Sequence, residues 1–280
     1  MASEGRSASI SEVISSQELL RSAPLPSHEA VRLLAKATGR HPGAIRAGIA
    51  VESAAMVKFA SLVKQRISGE PLQYLEGEVP FGPVTVFIDG RVLIPRPETE
   101  YLYDLVVRSI APPQVVVDLC TGSGALALAL KRTYPEARVI ASDLSAGAME
   151  VAESNGRRLG LDIEWFRGDL WAPVPVELAG EVSLMVANPP YVSESEWAHL
   201  PIEIQREPRM ALVGGPTGTE VIERLLEQTA TWLAPRGIAV IEVGDGQAGS
   251  LSEGRDEVET LMDQFERPRF VKLLGPIASS

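Results

Sequence analysis

From about residue 113 onward, short apolar runs alternate with longer stretches whose apolar positions recur every three or four residues. The runs at 115–119, 139–141, 163–166, 182–187 and 238–243 predict strands, and the stretches 125–133, 146–159 and 221–233 predict helices. Repeated strand–helix units imply a mostly parallel sheet covered on both faces. A final strand is expected at 270–274, followed only by a short tail. The first third follows a different pattern. Ser27 precedes a helix over 28–38 that Gly39 closes, and a second helix begins near Glu52 with Met56, Phe59, Val63 and Ile67 on one face. Between these regions, Asp89-Gly90 separates two short apolar runs and predicts a β-hairpin. Pro95 and Pro97 then hold the chain extended before a helix near Glu98. The expected organisation is a helical domain at 1–70, a hairpin and linker at 71–100, and an α/β domain at 101–280.

Composition narrows the class of protein. The 280 residues are 45% hydrophobic and 22% charged, ordinary for a soluble globular chain. No apolar stretch approaches the length of a membrane span, and the first residues lack the apolar core of a secretory signal, so a cytoplasmic protein is expected. Cys120 is the single cysteine and the three histidines are scattered, so neither an internal disulfide nor a metal site is expected. Residues 1–100 carry 11 basic and 11 acidic side chains, so the net −11 falls entirely on the remainder. That acidity argues against a tight, nonspecific grip on nucleic acid.

The chemistry is concentrated at strand ends. The run at 182–187 stops at Asn188-Pro189-Pro190-Tyr191. Ligands of open α/β sheets sit at the carboxyl edge of the strands, and two successive prolines make a stiff turn there. The Asn188 side-chain oxygen and the Pro189 carbonyl can together grip both hydrogens of a planar NH2 group. The alternative is a strand stop with Asn188 capping a turn. After the first strand, Asp118-Leu119-Cys120-Thr121-Gly122-Ser123-Gly124 opens a helix, and the glycines permit close approach of a ligand. Asp143, at the end of the second strand, lies 21 positions beyond Gly122, the spacing of a carboxylate that holds ribose hydroxyls. It also suits an N-cap role. Asp169 follows the third strand and could accept from an adenine amino group, with Leu170 or Trp171 against the ring. A dinucleotide or S-adenosylmethionine fits these features equally. The NH2 clamp favours S-adenosylmethionine, because a hydride-transfer enzyme has no use for it.

With these residues in place, the chain resembles the HemK/PrmC-type family of protein-(glutamine-N5) methyltransferases. The likeness rests on Gly69-Glu70-Pro71-Leu72-Gln73-Tyr74, Leu93-Ile94-Pro95-Arg96-Pro97-Glu98-Thr99-Glu100, Asp118 to Gly124, Asn188 to Tyr191, and Glu207-Pro208-Arg209-Met210-Ala211-Leu212 running into Gly214-Gly215-Pro216. It implies a Rossmann-like S-adenosylmethionine-dependent methyltransferase sheet with a small amino-terminal helical bundle. The implied substrate is the glutamine of the Gly-Gly-Gln loop of peptide chain release factors. Asp118, Cys120, Thr121, Gly122, Ser123, Gly124, Asp143, Asp169, Leu170 and Asn188 would bind the donor. Asn188, Pro189, Pro190 and Tyr191 would bind the glutamine, with Asn188, Pro189 and Tyr191 catalytic. The family ends in a β-hairpin with an arginine-containing turn. Here a seventh strand is expected to be missing or much reduced. Cys120 stands where many donor loops carry glycine and is not expected to be a reactive thiol.

The expected reaction is direct displacement of a methyl group by an amide nitrogen, with no Ser/His/Asp arrangement needed. Three other readings share the fold: a ribosomal protein glutamine as substrate, an exocyclic amine of DNA or RNA, and a module that binds the donor without catalysis. A monomer is expected.

Overall fold

The computed structural model describes residues 14–276, and the chain divides by packing into two compact units, Met1–Glu76 and Gly77–Ser280. The first contains β1 (Ile14–Ser15), α1 (Ser16–Ser22), α2 (Ser27–Thr38), α3 (Pro42–Ala47), β2 (Ala50–Val51), α4 (Ser53–Ile67) and α5 (Leu72–Glu76). α2 ends at Gly39, whose φ of 67° is the left-handed cap that glycine adopts without strain. Its apolar stripe Ala30, Val31, Leu33 and Leu34 is buried with Ile45, Phe59, Val63, Leu72 and Leu75. Arg66 of α4 grips both carboxylate oxygens of Glu29 on α2, at 2.7 and 3.0 Å. Ile67 departs from the apolar face expected of α4: it closes the helix, is 59% exposed and contributes nothing to this core.

The second unit opens with a hairpin, β3 (Glu78–Phe81) and β4 (Val84–Phe87). Its turn is Gly82-Pro83 rather than Asp89-Gly90, since Phe81 pairs directly with Val84. The run at 84–88 is therefore the second arm. The first arm carries Pro80, which a two-stranded edge tolerates. Asp89 instead accepts from the Arg91 backbone and guanidinium in a separate turn. There follow α6 (Pro97–Ser109), β5 (Val115–Leu119), α7 (Ala125–Thr133), β6 (Arg138–Asp143), α8 (Ala146–Leu159), β7 (Glu164–Arg167), β8 (Val182–Ala187), β9 (Val192–Ser193), α9 (Glu194–Trp197), α10 (Ile202–Gln205), β10 (Val213–Gly215), α11 (Glu220–Trp232), β11 (Leu233–Glu242), α12 (Gln247–Ser252), β12 (Val258–Met262) and β13 (Pro268–Leu274).

Seven strands form the central sheet in the order β12-β13-β11-β8-β5-β6-β7. Strands β11, β8, β5, β6 and β7 are mutually parallel, and β13 runs antiparallel between β11 and β12. Central strands shielded on both faces can be apolar throughout, and β8 is buried at five of its six residues. α7 and α8 pack on the sheet beside β6, and α11 and α12 pack on β11, β12 and β13. The seventh strand that the sequence led us to expect missing is present. β12 and β13 form the closing hairpin, and Asp263 ties its turn by accepting from the backbone N–H groups of Phe265 and Arg267. β12 escapes detection because it lies at the sheet edge, where its residues Val-Glu-Thr-Leu-Met do not show a buried run. No helix among the described residues is long and apolar enough to cross a membrane.

Candidate active site

Parallel pairing brings the carboxyl ends of the strands to one edge. Leu119 pairs with Ala187, and Ala187 with Ile241. The residues that follow, including Asn188 and Glu242, therefore emerge side by side. A cavity of about 300 Å³ opens there, within the second unit, at the lower end of the range for small-molecule sites. Its walls include Asp118, Cys120, Thr121, Gly122, Ser123, Asp143, Asp169, Leu170, Asn188 and Pro190. Gly124, Pro189 and Tyr191 lie outside its lining, although all three were expected at the site. Gly124 caps α7 with a φ of 80° and faces Trp165, Ala152 and Leu128. It shapes the loop from behind.

The loop from Asp118 to Gly124 is held by two carboxylates. Asp118 is 1% exposed and accepts from the Thr121 hydroxyl at 2.5 Å and the Ala127 N–H at 3.1 Å. Burial pushes its carboxyl up to about 7 despite those hydrogen bonds. Asp143 accepts from the N–H groups of Gly122 at 2.9 Å and Ser145 at 2.8 Å, and burial raises its pKa. Ser145 is itself the N-cap of α8, so Asp143 is left to brace the loop and line the cavity. At Gly122 a Cβ would meet nothing within 4 Å, and φ is 56°. This is backbone turned bare toward the cavity, the cradle a bulky ligand needs. Burial, and next the Asp143 charge, raise the Cys120 thiol well above its ordinary value, consistent with an unreactive wall residue.

On the far wall, Asp169 pairs with Arg224 at 2.5 Å and Leu170 adopts a φ of 49° with its side chain buried. Trp171 does not cover the cavity. It is 2% exposed and stacks on Trp232, with centroids 4.8 Å apart and planes 6° from parallel.

At Asn188 the side-chain NH2 donates to the Thr99 hydroxyl at 2.9 Å, while its Oδ1 is buried without a partner. Thr99 donates to Glu242 at 2.7 Å. The phenol of Tyr191 donates to the other oxygen of Glu242 at 3.5 Å and accepts from Arg269 at 3.4 Å, with the Arg269 guanidinium 5.5 Å from the ring centroid. Burial pushes Glu242 up to about 7, opposed by the Thr99 hydrogen bond and the Arg269 charge. Burial and the Glu242 charge push Tyr191 up to about 12, so it acts as a neutral phenol.

Three motifs with no role assigned by sequence hold this corner together. Glu207, 4% exposed, accepts from the Ile94 N–H at 3.0 Å and the Arg96 guanidinium at 2.6 Å, joining the proline-bracketed linker to the Glu207-Pro208-Arg209 segment. Glu98 pairs more loosely with Arg267 at 3.4 Å. Gly214 and Gly218 lie against the Pro190 and Tyr191 carbonyls, where β10 pairs with β9. Glu207→Ala should destabilise the protein by about 3–6 kcal/mol, as it removes two hydrogen bonds to a charged group and each contributes roughly 1.5–3 kcal/mol. Urea unfolding midpoints would check this, and a shift within error would show the tether to be idle.

Sequence reasoning missed Thr99, Glu242, Arg269 and Arg224. A signal for Glu242 was available: an acidic residue directly after the apolar run 238–241 of a parallel strand, at the same sheet edge as Asn188. Asn155 was also missed. It is fully buried and bonds both the N–H and carbonyl of Phe87 and the carbonyl of Ser123, tying β4 to the glycine-rich loop.

Comparison with known proteins places this geometry among relatives. Residues 104–215 match the methyltransferase small domain family, and residues 14–77 match the PrmC N-terminal domain. The chain is 41% identical over 226 residues to a release factor glutamine methyltransferase of Mycolicibacterium smegmatis, covering 78% of this chain and 79% of that one. It is 38% identical over 188 residues to a ribosomal protein uL3 glutamine methyltransferase of Burkholderia pseudomallei, covering 64% and 61%. Among solved structures, a 16S rRNA methyltransferase of T. thermophilus in complex with AdoMet and guanosine shares the fold. Its TM-score is 0.52 at 16% identity, over 71% of this chain and 50% of that one.

Proposed function

Because the chain belongs to the release factor glutamine methyltransferase family, we propose that it methylates the side-chain amide nitrogen of the glutamine in the Gly-Gly-Gln loop of peptide chain release factors, using S-adenosylmethionine, in the cytoplasm and as a monomer. The observation that carries the reading is the buried, partnerless Oδ1 of Asn188, a residue that lines the same cavity as the glycine-turned loop. A buried acceptor with no partner is a vacancy for a donor, and a primary amide brings two.

The residues fit the donor. Asp143 and the backbone around Gly122 would hold its ribose, Asp169 and Leu170 its adenine, and the loop from Asp118 to Gly124 its remaining polar end. When bound, S-adenosylmethionine supplies a methyl group on a positively charged sulfur. The protein's own task is to prepare a weak nucleophile, because an amide lone pair is delocalised into its carbonyl. Asn188 Oδ1 accepts one N–H and the Pro189 carbonyl the other, which orients the nitrogen and stabilises the charge it develops. Tyr191 backs the turn through its contacts with Glu242 and Arg269.

Transfer of radiolabelled methyl to a purified release factor tests the proposal, beside the same factor with its loop glutamine replaced, a ribosomal protein fraction and DNA. Label entering the intact factor alone is the expected result. Label entering only ribosomal protein would favour the second reading, which the similarity to the uL3 enzyme supports. Label entering DNA alone would overturn a protein substrate.

A further inference from the structure

We propose that Glu242 and Thr99 form a polarity relay that fixes which end of the Asn188 amide faces the cavity, making both of them positioning residues for the reaction. This rests on the clamp reading above. An asparagine amide is nearly symmetric in shape: rotating it by half a turn exchanges an acceptor for a donor with little change in packing. Only the acceptor can hold an N–H of the substrate. In the reversed orientation, Asn188 would present its own NH2 to the substrate's NH2, and neither could bond.

The hydrogen bonds settle the orientation by counting protons. In its ionised form, which prevails above about pH 7, Glu242 carries none, so it accepts from Thr99 at 2.7 Å and the relay is set in that form. The Thr99 hydroxyl has one proton and has used it there. Toward Asn188, at 2.9 Å, it can only accept, so Asn188 must turn its NH2 to Thr99 and is left with Oδ1 free. The second oxygen of Glu242 faces Tyr191 at 3.5 Å and Arg269 at 3.8 Å, both donors, which keep this carboxylate from rotating away. The relay spans distant parts of the chain. Thr99 comes from the first turn of α6, Glu242 from the end of β11 and Arg269 from β13.

A double-mutant cycle separates this role from simple packing. Thr99→Val keeps the shape and removes the hydroxyl. It should lower kcat by about 10- to 100-fold, the range typical of groups that orient a functional side chain, with the dissociation constant for S-adenosylmethionine unchanged. Thr99→Ser, which restores the hydroxyl, should recover most of that loss. In an Asn188→Ala background, Thr99→Val should cause no further loss, since there is no amide left to orient. Glu242→Gln should behave in the same way, because the glutamine NH2 avoids the Arg269 and Tyr191 donors and turns to Thr99, reversing the relay. If Thr99→Val melts below the assay temperature, Glu242→Gln decides by the same cycle. An equal loss from Thr99→Val with and without Asn188 would overturn the relay while leaving the clamp intact. A loss confined to donor binding, or no loss at all, would also overturn it. Full turnover by Asn188→Ala alone would instead remove the clamp on which the relay acts.

Discussion

Asn188→Ala is expected to lose at least about 100-fold in kcat while folding like the parent, the usual effect of deleting one preorganised polar group aimed at a developing charge. The loss should fall on kcat more than on KM, because the bonds to the amide nitrogen strengthen as that nitrogen becomes positive. The structure explains why no neighbour can substitute. Thr99 has committed its proton to Glu242, and Tyr191 is drawn toward Glu242 and Arg269. Steady-state kinetics with a release factor substrate, alongside calorimetric binding of the donor, would check this. Turnover within threefold of the parent would refute the clamp.

Gly214→Ala should be nearly as damaging without touching any group that carries the chemistry. A Cβ there would stand 2.4 Å from the Pro190 carbonyl oxygen and 2.6 Å from that of Gly218. Both neighbours are backbone, and neither can step aside as a flexible side chain would. The Asn-Pro-Pro-Tyr turn would have to move, and a displacement of about 1 Å at a reacting centre can reduce rate by roughly 100-fold. Overpacking of this kind also destabilises by about 1–3 kcal/mol. Gly249→Ala is the matching control, since a Cβ in that helix meets nothing within 4 Å and alanine is the better helix former by about 1 kcal/mol. Loss of activity in Gly214→Ala with none in Gly249→Ala is the expected pair of results. Equal, near-parent activity in both would show that the turn is held by other contacts.

The two predictions differ in how far the sequence exposed their basis. Asn188 stood out because its chemistry is local: an apolar run, an amide and two prolines lie within ten residues. The loop from Asp118 to Gly124 and Asp143 stood out for the same reason, each being a strand end followed by a helix start, and residues of both line the cavity. The partners that orient them did not. Thr99 and Glu242 are 143 positions apart in the chain, and the packing of α6 against β11 brings them together. The closing hairpin was misread because β12 is a short, half-exposed edge strand with no continuous apolar run, and the first hairpin because Pro80 in β3 hid its first arm. Periodicity reports burial, so it finds central strands and misses those that the sheet leaves half in water.

The position of β13 also bears on biosynthesis. It is the last strand among the described residues, yet it lies between β11 and β12. A ribosome delivers β11 and β12 before the strand that must separate them. At about 5–20 residues per second, the growing chain carries the unpaired flank of β11 for a few seconds, with an apolar ladder and its hydrogen-bonding groups open to any strand nearby. Arg269 arrives on that same late strand, and with it the charge that steadies Glu242. The nascent protein can thus assemble the loop around Gly122 early, but β13 must emerge before the corner around Asn188 is complete.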